Sequence, residues 1–155
     1  MKTLEELKAV RDKMQGEVAL RTNDSASSKY ERHVLVCGGT GCTSSGSTQI
    51  IDALASEIES KGLKDKVQIV KTGCFGLCAL GPIMIVYPEG TFYSRVEVEH
   101  ITRIVDEHFI GGNPVKEYLY DETVDGDNIK ALDDTAFYKN QQRVALRNCG
   151  VINPE

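Results

Sequence analysis

Val34-Leu35-Val36-Cys37-Gly38-Gly39-Thr40-Gly41-Cys42 opens on three apolar residues and closes on two cysteines padded with glycine. The run Val34-Leu35-Val36 is too short for a helix and is consistent with a buried strand. After the loop, Ser44, Ser45 and Ser47 offer N-cap oxygens. Ile50, Ile51, Leu54, Ala55 and Ile58 then recur at the spacing of one helix face, ending near Gly62. Val67-Gln68-Ile69-Val70 is a second strand-like run, leading into Gly73-Cys74-Phe75-Gly76-Leu77-Cys78. A strand, a loop, a helix and a second strand form a crossover unit. The two strands are therefore expected to run parallel, with both cysteine loops at the same end of the sheet.

Downstream the chain changes style. Leu80-Gly81-Pro82 turns it, Ile83-Met84-Ile85-Val86-Tyr87 reads as an apolar strand, and Pro88-Glu89-Gly90 makes a tight turn into Thr91-Phe92-Tyr93, completing a hairpin. Val98, Ile101, Ile104, Val105 and Phe109 mark the inward face of a last helix, closed by Gly111-Gly112 and Asn113-Pro114. The order βαβ then ββα predicts an α/β (α+β) domain in the thioredoxin-like arrangement, a small mixed sheet with flanking helices. Tyr87, Phe92 and Tyr93 are expected in its core and hairpin.

This compact domain occupies residues 30–112, between an N-terminal helix and linker (1–29) and a C-terminal extension (113–155). Over residues 2–20, Leu4, Leu7, Val10, Met14 and Val18 step at three and four residues, the pattern of an amphipathic helix that needs a partner surface. Arg21 to Lys29 has little to bury and reads as a linker. Val115 to Tyr120 suits a turn of helix or an edge strand. Asp121 to Asp134 is acidic with few large apolar residues, so the extension is expected to be loosely ordered over the surface.

With 155 residues the chain can bury a sizeable core, and its 41% hydrophobic and 26% charged fractions are those of a globular protein. A net charge of −5 argues against nucleic acid as a partner. No apolar run approaches a membrane span, which speaks against direct membrane insertion, and Met1-Lys2-Thr3-Leu4-Glu5-Glu6 has no signal core, so a cytoplasmic location is expected. In a reducing compartment, grouped cysteines point to metal ligation or redox chemistry rather than structural disulfides.

The spacing C-x4-C, 31 residues, C-x3-C offers four thiolates from two neighbouring loops. A [2Fe-2S] cluster requires that set, since each iron takes two protein sulfurs. Backbone N–H groups of the glycine-padded loops can approach the sulfurs, and Phe75, Leu77 and Leu80 would keep water from part of the site. A four-cysteine zinc site is the alternative, in a structural or docking domain, although zinc knuckles use two-residue spacings and both intervals here are longer. No C-x-x-C dithiol exists in the chain. Gly41 to Thr48 nearly spells a phosphate-binding loop, but Ser47 stands where the lysine should be. His33, His100 and His108 are scattered, as packing or surface residues would be. Cys149 reads as a free thiol, buried at least in part.

These residues resemble a known family. Cys37-x4-Cys42 and Cys74-Phe75-Gly76-Leu77-Cys78, followed by Gly81-Pro82 and Tyr87-Pro88-Glu89-Gly90, are similar to the thioredoxin-like [2Fe-2S] ferredoxin domain of NADH dehydrogenases and NAD-linked hydrogenases. The likeness covers about residues 30 to 112. It implies that Cys37, Cys42, Cys74 and Cys78 are the ligands, the first pair on one iron and the second on the other. The stretch Gln142 to Glu155 is similar to the start of the flavoprotein subunit that binds FMN and NADH. It implies an N-terminal module of a beta subunit of the NAD(P)-dependent, often electron-bifurcating, iron hydrogenases. On that expectation FMN and NAD(P) belong to the remainder of the parent chain, and the partners are other subunits or domains of the complex.

Overall fold

The computed structural model describes residues 3–22, 28–126, 128–145 and 147–152. The centre of the expected linker, 23–27, and the last residues of the flavoprotein-like tail lie outside them.

Helix α1 spans Leu4–Val18 and starts from a reciprocal cap: the Glu6 amide donates to Thr3 Oγ1 at 3.2 Å, and the Thr3 amide to the Glu6 carboxylate at 2.7 Å. A 3-10 turn, Ala19–Arg21, ends it, and burial begins only at Ala19 and Leu20. The domain proper runs β1 (Arg32–Cys37), α2 (Thr40–Ser44), α3 (Ser47–Ser60), β2 (Val67–Thr72), β3 (Met84–Tyr87) and β4 (Thr91–Tyr93). A helical stretch follows, of a 3-10 turn at Val98–His100, α4 (Ile101–Ile104) and a wider π turn over Val105–Ile110. The strand order is β2-β1-β3-β4. β1 and β2 are parallel, with Val34 opposite Ile69, while β3 is antiparallel to both β1 and β4.

Alternation along the strands divides the core in two. Val34, Val36, Met84, Val86 and Tyr93 face α3 and α4, meeting Ile50, Leu54, Ile58, Ile101, Ile104 and Val105. Leu35, Cys37, Ile85 and Phe92 face the other way, toward Leu132 and Tyr138 of the C-terminal segment. Each fully buried large aliphatic or aromatic side chain contributes about 1.5–3 kcal/mol of transfer free energy.

Two local expectations are corrected. The N-cap of α3 is not a serine but Gly46, at φ +97°, with no side-chain cap bond; the serines instead lie in α2, at Ser45 and at the first position of α3. Val98, expected inward, is exposed, because the helical stretch starts as a 3-10 turn and its first residue lies off the buried face.

The described residues of 115–151 are more closely packed than their sequence suggests. Lys116–Tyr118 is a 3-10 turn, after which Leu119 bridges to Tyr93 and the Tyr120 amide donates to Phe92 O at 3.1 Å, pairing this stretch with the outer edge of β4. A two-residue hairpin, β5 (Val124–Asp125) with β6 (Asn128–Ile129), reverses the chain. Ala131 then bridges to Thr91, and the short helix α5 (Ala136–Lys139) lies across the open sheet face. The crossing ends at the first helix, where Arg21 donates to Val151 O, to Gln68 Oε1 at 3.2 Å and to His33 Nδ1 at 3.2 Å.

Candidate metal centre

Cys37 is the last residue of β1, fixed by its own amide donating to Ile83 O at 3.1 Å. Cys42 lies in α2, a single turn that the sequence reading missed, and both thiols are buried. Cys74 and Cys78 lie in the loop after β2 and are exposed. Because β1 and β2 are parallel and in register, Cys37 opposite Thr72, the two loops leave the sheet at the same end.

Contacts between the loops bring the sulfurs together. Cys74 Sγ and Cys78 Sγ are 4.0 Å apart, and the Cys37 side chain is a hydrogen-bond partner of the Cys42 thiol. A methyl group on Gly39 would sit 3.1 Å from Cys74 Sγ, and one on Gly41 would sit 3.6 Å from Cys78 Sγ. On Gly81 it would come within 2.7 Å of Cys42 Sγ, closer than any side chain tolerates. Glycine at 39 and 81 is thus what allows two backbones to close over the thiols. Among the described residues, no three His, Cys, Asp or Glu side chains converge on the position of a single ion; the sulfurs stand as two pairs.

Burial and mutual crowding raise two of the four thiols. Burial, then the hydrogen bond with Cys37, pushes the Cys42 thiol up to about 12, with a backbone hydrogen bond from Ile83 acting in the other direction. The Cys78 thiol is pushed up by its hydrogen bond with Cys74 and then by that neighbour's charge. Burial and crowding thus favour the neutral thiols, and a bound metal, which deprotonates a thiol outright, would reverse that preference. The Gly76 amide donates to Cys74 Sγ at 3.3 Å, and Phe75 is buried while Leu77 and Leu80 are half-buried beside it. Four sulfur donors in two pairs, in a cradle that a Cβ would fill, fit a cluster with two irons.

The other candidates lie elsewhere. His33 sits at the far end of β1 from Cys37 and is buried; His108 is buried against Tyr93, whose hydroxyl is 2.9 Å from its Nδ1; His100 stacks on Tyr118 at 4.0 Å between ring centroids. Gly41 to Thr48 forms α2 around Cys42 and the start of α3. Cys149 is a half-buried free thiol whose carbonyl accepts from Arg143 at 3.1 Å. Tyr138 was not anticipated: it is buried beside the cysteine loops, and its hydroxyl donates to Phe75 O. Lying far from the cysteines in sequence and outside any periodic run, it gave no signal.

A thioredoxin-like sheet whose parallel strands deliver two cysteine pairs to one end defines a class of small iron–sulfur proteins. The sequence profile of the thioredoxin-like [2Fe-2S] ferredoxins matches residues 22–108, more than half of the chain, and the chain belongs to that family. A 2Fe-2S ferredoxin of Clostridium pasteurianum is 35% identical over 94 residues, covering 56% of this chain and 92% of that protein. One from Aquifex aeolicus is 33% identical over 97 residues, covering 57% and 87%. The solved thioredoxin-like [2Fe-2S] ferredoxin of Aquifex aeolicus superposes with a TM-score of 0.54 at 32% identity, over 58% of this chain and 90% of that one. The profile match ends before the segment that crosses the open sheet face. Among the described residues, no helix is long and apolar enough to cross a membrane.

Proposed function

We propose that this chain is a one-electron carrier that holds a [2Fe-2S] cluster through Cys37 and Cys42 on one iron and Cys74 and Cys78 on the other. The observation that carries the reading is the interleaving of the loops, Gly39 against Cys74 and Gly81 against Cys42, which supports one site for both cysteine pairs. When bound, the cluster supplies reversible uptake of a single electron. The chain's own residues hold, shield and expose it. Cys37 and Cys42 anchor it in the sheet, Phe75 and Leu77 exclude water from one side, and the Gly76 amide offsets negative charge on Cys74. Exposed Cys74 and Cys78 make that side the route for electrons to enter and leave.

The setting belongs to the same proposal. The likeness of Gln142 to Glu155 to a flavoprotein subunit supports a place in an NAD(P)H-linked hydrogenase or dehydrogenase. The unpartnered stripe Leu4, Leu7, Val10 and Met14 on α1 supports contact with another subunit. No residue of this chain is assigned to FMN, NAD(P) or hydrogen.

Visible absorption of anaerobically purified protein tests the carrier reading. A brown chromophore that bleaches with dithionite and returns on oxidation is expected, and a colourless zinc protein that dithionite leaves unchanged would contradict it.

A further inference from the structure

Tyr138 belongs to the segment that crosses the sheet after the family domain ends, and its surroundings are built. The Thr135 hydroxyl caps its helix, accepting from the Tyr138 amide at 3.4 Å, and Leu132, Thr135 and Tyr138 are all buried. The Arg143 guanidinium lies over the Tyr138 ring, 5.0 Å from its centroid. Phe75 is gripped from this segment twice. The Tyr138 hydroxyl donates to its carbonyl, and Gly150 lies so close against its ring that a Cβ there would clash with it. Burial raises the phenol above its usual value, which keeps the hydroxyl protonated and a donor.

The Phe75 carbonyl and the Gly76 N–H are the two ends of one peptide unit. Its carbonyl end is held by Tyr138, and its N–H end donates to Cys74 Sγ at 3.3 Å. Because a peptide is planar, fixing the carbonyl fixes the direction of the N–H. Gly76 sits at φ +87°, where glycine adds no steric penalty to hold the peptide in place, so the orientation depends on its hydrogen bonds.

We propose that Tyr138 is a positioning residue for the iron–sulfur site: through the Phe75–Gly76 peptide it aims an N–H at Cys74 Sγ and thereby raises the reduction potential. This rests on the reading that Cys74 ligates the cluster. Hydrogen bonds to ligand sulfur stabilise the more negative, reduced state, and outer groups that orient them tune a metal site as the ligands do. The C-terminal segment thus acts on the outer, exposed cysteine pair from the sheet face that carries Cys37.

Redox titration of the cluster-loaded protein, wild type against Tyr138→Phe, is the test. The phenylalanine keeps the ring in its apolar site and removes only the donor. The expected result is a more negative midpoint potential, corresponding to an up to about tenfold weaker equilibrium for reduction, ~59 mV for a one-electron couple. Faster amide exchange in a peptide containing Gly76 should accompany it, while Val144→Ala, at an exposed side chain of the same segment, leaves both unchanged. Equal potentials and equal exchange in wild type and Tyr138→Phe, with the cluster present in both, would overturn the inference. So would a Tyr138→Leu variant that shifts the potential while Tyr138→Phe does not, since the role would then be packing alone. A wild-type protein that holds no iron would instead overturn the carrier reading beneath it.

Discussion

At the scale of single residues, the five cysteines divide by role. Cys74→Ser and Cys78→Ser replace a thiolate with a poor iron ligand on the exposed side of the site. Each is expected to bleach or shift the visible and EPR signals. Cys149→Ser, at a thiol outside both pairs, is expected to leave them unchanged, and a loss of signal comparable to that of Cys74→Ser would contradict the assignment. Residue type and spacing made this distinction legible, because two close pairs after two strands have few other chemical uses. The buried histidines were not legible in that way. Burial first, then the nearby guanidinium of Arg21 or Arg32, pulls His33 and His108 down to about 4, while Glu17 and Glu89 act in the opposite sense. The unfolded chain has the higher histidine pKa, about 6.5. Stability from the neutral rings is therefore whole above that pH and falls as pH drops toward about 4, by up to about 1.4 kcal/mol per unit for each ring. Urea midpoints at pH 7 and pH 5, at matched cluster content, should fall less in a His33→Gln/His108→Gln variant than in wild type. Equal falls would refute the effect.

At the scale of elements, the crossover β1-α3-β2 and the hairpin β3-β4 followed directly from apolar periodicity and turn residues. Strands and helices whose buried positions recur at fixed intervals announce themselves in sequence. α2 did not: it is one turn of small residues, Thr40-Gly41-Cys42-Thr43-Ser44, shaped by its contact with the second loop rather than by its own propensity. The same limit explains the cap of α3, where a glycine at positive φ displaced three plausible hydroxyls. α1 tests the difference between a periodic pattern and a buried one. Its apolar stripe is exposed, Leu7 at 53%, whereas Leu54 of α3 is wholly buried at 0%. Leu54→Ala is expected to cost about 2–5 kcal/mol in urea unfolding and Leu7→Ala less than about 0.5 kcal/mol. A comparable cost at Leu7 in the isolated chain would mean that α1 is buried in solution.

At the scale of the whole molecule, the C-terminal segment turns a two-layer domain into a sheet covered on both faces. Helices α3 and α4 cover one side, and Leu132 and Tyr138 cover the side from which Cys37 projects. Little of this segment could be read beforehand. Its buried residues Leu119, Thr123, Leu132 and Tyr138 are spaced irregularly, and their partners on β4 and in the second cysteine loop are distant in sequence. The stretches 34–51 and 72–88, which carry all four paired cysteines, contain no Asp, Glu, Lys or Arg in a chain of net charge −5. The account stands on four sulfurs, brought together by one end of one sheet, holding one diiron cluster. EPR of the anaerobically purified, dithionite-reduced protein, with iron and sulfide counted on the same sample, tests it most directly. A rhombic half-spin signal with about two irons and two sulfides per chain is the expected result. A signal-free protein with a single tightly bound metal would contradict it.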